Sequence, residues 1–129
     1  MVLDTSALLA LLFDEPEAES FRIALEADES RLVSAATLLE AAVVIEARKG
    51  EAAGRELDLL ISKAAIAIVP VDADQTAEAR RAWRRFGKGR HAANLNYGGL
   101  FSYALSRTSG EALLYKGEDF TRTDVARVI

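Results

Sequence analysis

The chain has 129 residues, half of them hydrophobic, with two prolines and no cysteine; it is long enough to bury a core as one domain over 1–129, and disulfides and thiolate metal sites are excluded. No apolar run approaches the ~20 residues that span a bilayer, and the first residues lack a leading positive charge and are interrupted by Asp4, so a cytoplasmic protein without membrane association is expected. The net charge of −4 argues against a general nucleic-acid coat.

MVLD reads as a short buried strand, followed by a helix over 6–13. Pro16 suits the first turn of a second helix, where its missing N–H is tolerated. RLVS (31–34) reads as a second strand, with Ser34 as N-cap of a long helix, AATLLEAAVVIEARK, stopped by Gly50. A further helix is predicted over 52–64, and AIAIVPV (65–71) as a strand or extended connection. Asp72 and Gln75 resemble a capping box opening a helix that ends near Gly87. On it Ala79, Ala82, Trp83 and Phe86 form an apolar stripe. Residues 87–95 form a loop, 99–108 a helix, ALLY (112–115) a strand, and ARVI a last short strand. Strands alternating with helices predict an α/β fold with a central parallel sheet covered on both faces. Ligands of such sheets bind at the carboxyl ends of the strands.

The charge is unevenly placed. Residues 80–90, RRAWRRFGKGR, hold six basic residues and no acid, while the other 118 hold 10 basic and 20 acidic residues. That block is either an anion-seeking feature or a solvated helix face. Arg84, Arg85, Lys88 and Arg90 are its candidate nucleic-acid backbone contacts, with Lys116 a further one. Trp83 and Phe86 could stack on bases, although their helical spacing favours the core. His91, the only histidine, lies in the basic loop and reads as a phosphate contact or a surface residue.

Several acids occupy informative places. Asp4 follows the first strand directly and serves either as a helix N-cap or as a site residue. Glu40 lies on a helix apolar nearly all round, which implies burial. A carboxylate there needs a salt bridge, a hydrogen bond, a proton or a metal. Asp119 follows the strand ALLY, and Asp124 lies five residues on; either could be a loop or cap residue. Acids gathered at strand ends, without cysteine, suggest an all-oxygen site for Mg²⁺ or Mn²⁺. Beside a basic tract, such a site suggests phosphodiester chemistry with metal-activated water.

Four blocks, MVLDTSALLALLFDEPEAE, RLVSAATLLEAAVVIEAR, RRAWRRFGKGRHAANLNYGGLFSYALS and LLYKGEDFTRTD, together resemble the PIN-domain ribonucleases, most closely the VapC toxins of toxin–antitoxin pairs. The resemblance implies a three-layer α/β/α PIN-like fold, an endoribonuclease toxin dependent on Mg²⁺ or Mn²⁺, a VapB-type antitoxin as partner, RNA as substrate, and a homodimer. It makes Asp4, Glu40 and Asp119 the metal-binding acids and Ser6 the small hydroxyl that supports the first of them.

One position departs from the pattern. Asn96, Tyr97, Gly98 and the run Phe101–Leu105 fit it, but Gly99 stands where the family has its central catalytic aspartate. No acid lies between Arg80 and Ser109 to replace it. A Gly-Gly loop binding phosphate through backbone N–H groups is one account of Gly99, and loss of an aspartate is the other. The expectation is therefore an impaired ribonuclease, with a catalytically inactive module that keeps antitoxin or RNA binding as the alternative. A phosphate-receiving regulatory domain also carries an acid after its first strand, but it lacks a paired acid beside Asp4 and leaves Glu40 unexplained.

Overall fold

A computed structural model describes all 129 residues. The sheet has four parallel strands, β1 (Val2–Leu3), β2 (Leu32–Ser34), β3 (Ala67–Val69) and β4 (Leu113–Leu114), in the order β3-β2-β1-β4. Six helices connect them: α1 (Thr5–Leu12), α2 (Ala18–Ala27), α3 (Ala35–Lys49), α4 (Glu51–Lys63), α5 (Ala73–Phe86) and α6 (Tyr97–Ser109).

The three layers follow from the two-residue period of a strand. Leu3, Val33 and Leu114 face one way and pack with Leu8, Phe21, Ile45 and Leu57 of α1 to α4. Val2 and Leu113 face the other way, against Phe86 of α5 and Leu100 and Tyr103 of α6. Both sheet faces are covered, as a parallel sheet requires.

Several local expectations hold. Ser34 caps α3 by accepting from the Ala36 N–H, and Gly50 ends it at φ 84°. Asp72 caps α5 through the Gln75 N–H, but the reciprocal half of the capping box is missing: Gln75 Nε2 donates to the Pro70 carbonyl at 3.0 Å.

Other expectations need correction. Pro16 lies in the turn before α2. Helix α6 starts two residues earlier than predicted, because Asn96 caps it by accepting from the Gly99 N–H at 2.9 Å. ARVI makes only an isolated bridge between Arg127 and Leu113. Helix α3 is not buried all round, since Leu39 and Val43 are 65% and 59% exposed. Its apolar residues cover a core-facing side and an open side alike, which the sequence pattern does not separate. Trp83 is 44% exposed rather than in the core, with the guanidinium of Arg90 over its ring at 4.5 Å.

Candidate active site

Strand β1 ends at Leu3, and the next residue, Asp4, caps α1. Its side chain is 7% exposed. Oδ2 accepts from the Ser6 N–H at 3.0 Å and from the Ser6 hydroxyl at 2.7 Å. Oδ1 accepts from the Ser102 hydroxyl at 2.6 Å. The Ser6 oxygen in turn accepts from the Lys116 N–H, just beyond β4, at 3.0 Å. Ser6 thus links the end of β1 to the end of the edge strand β4.

Glu40 is half-buried rather than enclosed, and no cation pairs with it. Its Oε1 accepts from the Thr5 hydroxyl at 2.5 Å. Its carboxylate lies against the first turn of α6. A Cβ added at Gly98 would stand 2.7 Å from Glu40 Cδ and overlap Oε2. Gly98 is there because a carboxylate occupies the space a side chain would need, and its backbone is not in the left-handed region.

Gly99 is buried, one residue further into the helix. A Cβ there would meet the end of the Leu95 side chain at 2.8 Å, Asn96 Oδ1 at 3.3 Å and Phe120 Cζ at 3.4 Å. Phe120 neighbours Asp119 in sequence, but Asp119 itself is exposed and lines a polar hollow with Asn94, Glu118 and Arg122. The structure brings Asp4, Ser6 and Glu40 around one strand end and does not bring Asp119 into that group. No three acidic or histidine side chains are arranged to hold a metal ion. The donors that do converge are carboxylates and hydroxyls, a set suited to a hard cation; Mg²⁺ commonly takes one or two protein carboxylates and completes its shell with water and substrate phosphate.

The basic tract is partly committed elsewhere. Arg81 pairs with Glu78 at 2.6 Å, and Arg85 pairs with Asp124 at 3.3 Å. Arg84 and Lys88 are exposed without an ion pair. Lys116 Nζ is held by Glu15 and Glu17 at 2.5 and 3.2 Å, which keeps its pKa raised through those hydrogen bonds. The His91 Nδ1 accepts from the Ala93 N–H, and its ring packs edge-on against Phe86; it orders the loop.

Three hydroxyl residues of the site escape sequence reasoning: Thr5, Thr37 and Ser102. The available signal was spacing. Thr37 precedes Glu40 by one helical turn, and Ser102 is a polar residue within an apolar helix.

Comparison with known proteins identifies the family and the fold. The PIN-domain family model matches residues 1–126. The chain is 60% identical over 128 residues to the ribonuclease VapC30 of Mycobacterium tuberculosis, covering 99% of this chain and 98% of that one. It is 59% identical to a ribonuclease VapC of Mycolicibacterium smegmatis, covering 99% of each. Among solved structures it is similar in fold to M. tuberculosis VapC20, a sarcin-ricin loop cleaving toxin. That match has a TM-score of 0.75 and 16% identity over 97% of this chain and 95% of that one. It is also similar in fold to a chain of the VapBC2 complex of Rickettsia felis bound to promoter DNA, with a TM-score of 0.73 and 17% identity over 98% and 94%.

Proposed function

The chain belongs to the PIN-domain family and, within it, to the VapC ribonucleases, and on that premise we propose that it is the endoribonuclease toxin of a toxin–antitoxin pair, impaired at Gly99. The observation that carries this reading is the pair of carboxylates, Asp4 and Glu40, held by hydroxyls at the carboxyl end of the central strand. In this reading Asp4 and Glu40 would hold Mg²⁺ or Mn²⁺, with Asp119 the further acid that the family resemblance assigns. When bound, the metal supplies a water acidified for attack on an RNA phosphodiester and positive charge for the phosphate oxygens. Asp4 is fixed by Ser6 and Ser102, and Glu40 by Thr5, so neither carboxylate has to be ordered on binding. Arg84, Lys88 and Arg90 are the backbone contacts this reading favours, with Arg85 available only after it leaves Asp124.

The partners follow from the family: RNA, a VapB-type antitoxin that covers the site, and a second copy of the chain, all in the cytoplasm. No helix is long and apolar enough to cross a membrane.

Gly99 favours a second reading, a PIN domain that binds antitoxin or RNA without cleaving. One experiment separates the two. The chain and its Gly99→Asp variant are assayed on RNA with Mg²⁺, Mn²⁺ or EDTA. The variant is expected to cleave more than about 100-fold faster, since losing even an outer-shell partner of a metal ligand costs about 10-fold to 100-fold, and EDTA is expected to abolish the gain. A variant that remains inert sinks the nuclease reading, and an unaltered chain that cleaves as fast removes the significance given to Gly99.

A further inference from the structure

Ser102 is completely buried in α6, yet it makes no bond to its own helix. Thr108, on the same helix, satisfies its hydroxyl on the Ala104 carbonyl four residues back, the usual recourse of a helical Ser or Thr. Ser102 instead reaches Asp4, 98 residues away in sequence, at 2.6 Å. Its other contact is Thr37 Oγ1 at 3.2 Å, on a side chain only 1% exposed.

The directions of these bonds are fixed by chemistry. An ionised carboxylate only accepts, and a hydroxyl carries one proton. Ser102 therefore donates to Asp4, and Thr37 must donate to Ser102. We propose that this Thr37–Ser102 relay positions Asp4: it fixes the plane of the carboxylate from the Oδ1 side while Ser6 fixes it from the Oδ2 side. Ser102 and Thr37 are positioning residues, and neither approaches the reacting phosphate. The relay also links three elements that carry site residues. Thr37 lies one turn before Glu40 on α3, Ser102 lies one turn after Gly98 on α6, and Asp4 follows β1 directly. No water competes for these bonds, since Ser102 and Thr37 are both sealed in the interior.

The inference rests on the metal-dependent reading above, and its test keeps the two apart. Mn²⁺ is titrated into the full chain, and in parallel into its Gly99→Asp form, and followed by water-proton relaxation; the unfolding midpoint of every variant is also measured. Asp4→Asn is expected to abolish Mn²⁺ binding. Ser102→Ala is expected to weaken it about 10-fold, the lower end of the range for residues that orient metal ligands. Thr37→Val, which leaves Ser102 in place, should weaken it in the same direction by less. Ser102→Ala should add nothing in the Asp4→Asn background. A merely structural relay would lower the unfolding midpoint and leave the Mn²⁺ Kd unchanged, and that result in both relay variants overturns the proposal while the Asp4→Asn loss upholds the metal site. If Asp4→Asn binds Mn²⁺ as the parent does, or if neither parent form binds it, the metal reading and the relay both fall.

Discussion

Gly98 and Gly99 are adjacent glycines in one helical turn, but different neighbours account for them. At Gly98 the obstacle to a side chain is the end of Glu40, which is half-buried and can swing outward once its bond from Thr5 is broken. Gly98→Ala should therefore fold well. It gains about 1 kcal/mol of helix propensity and forfeits the Thr5–Glu40 bond, worth about 1.5–3 kcal/mol as a hydrogen bond to a charged group. The expected net change is a loss of about 1 kcal/mol in a urea melt, together with a marked loss of Mn²⁺ affinity as Glu40 is displaced. Unchanged Mn²⁺ affinity would show that Glu40 does not need the place it occupies. At Gly99 the nearest atom belongs to Leu95, itself 1% exposed, so an aspartate there needs a small core adjustment. It occupies the third position of α6, where negative charge suits the positive end of the helix. The sequence made both positions conspicuous, because two glycines opening an apolar helix contradict its propensity. It could not say that Glu40 stands over one and Leu95 over the other, since those contacts join residues more than 50 positions apart in the first case and a buried neighbour in the second.

Between α5, α6 and the loop that follows β4, charges are sorted into a network. Tyr103 donates a hydrogen bond to Asp124, which also pairs with Arg85 at 3.3 Å and lies 4.0 Å from Arg107. Burial raises the pKa of Asp124, but the Tyr103 bond and the two guanidiniums outweigh it and hold the carboxyl below its usual value. The same burial and bond push the Tyr103 hydroxyl well up. A depressed folded-state pKa means stability that is present above the unfolded value, near 3.9 for Asp, and lost as pH falls through the folded one. Asp28 and Glu111, held low by bonds from the Met1 amine, act in the same direction. The measurement is therefore a difference: urea melts of the chain and of Asp124→Asn between pH 7 and pH 2.5. The variant should be less stable at pH 7, and the gap should begin to close as the pH falls below about 4 and vanish below the depressed folded-state value. A constant gap across that range would mean that the network owes nothing to the charge of Asp124. This network explains why the element pattern was easier to read than the site. Strands and helices announce themselves through local periodicity and caps such as Ser34 and Asp72. Arg81 finds Glu78 on its own helix, but Arg85 depends on Asp124, brought from the loop beyond β4. Asp119 illustrates the same limit, because its place after a strand is visible in the sequence while the course of its loop is not.

On the whole molecule, part of the exposed apolar surface is contiguous. Leu39 and Val43 lie one turn apart on α3, and Leu39 shares a hollow with Glu40, Tyr97 and Phe101. Tyr97 and Phe101 also line a groove of about 420 Å³ with Val71, Ala79, Trp83 and Leu100. Tyr97 is 76% exposed, and Ile68 on the edge strand β3 is 52% exposed. Single exposed apolar residues are ordinary, but a connected set of this kind marks a contact surface. Two copies of this face would bury Leu39, Val43 and Tyr97 against one another, as a two-fold dimer does with a self-complementary patch. Because Glu40 borders the patch, such a partner would also wall one side of the carboxylate pair and narrow the cleft open to RNA. Light scattering on the purified chain should then give about twice the 14.0 kDa protomer mass. Val43→Glu, which places a charge on an already exposed position, should give the protomer mass with an unchanged circular dichroism spectrum. A parent chain that is monomeric at tens of micromolar would reject this face as a dimer interface, and a Val43→Glu chain that stays dimeric would move the interface elsewhere on the molecule.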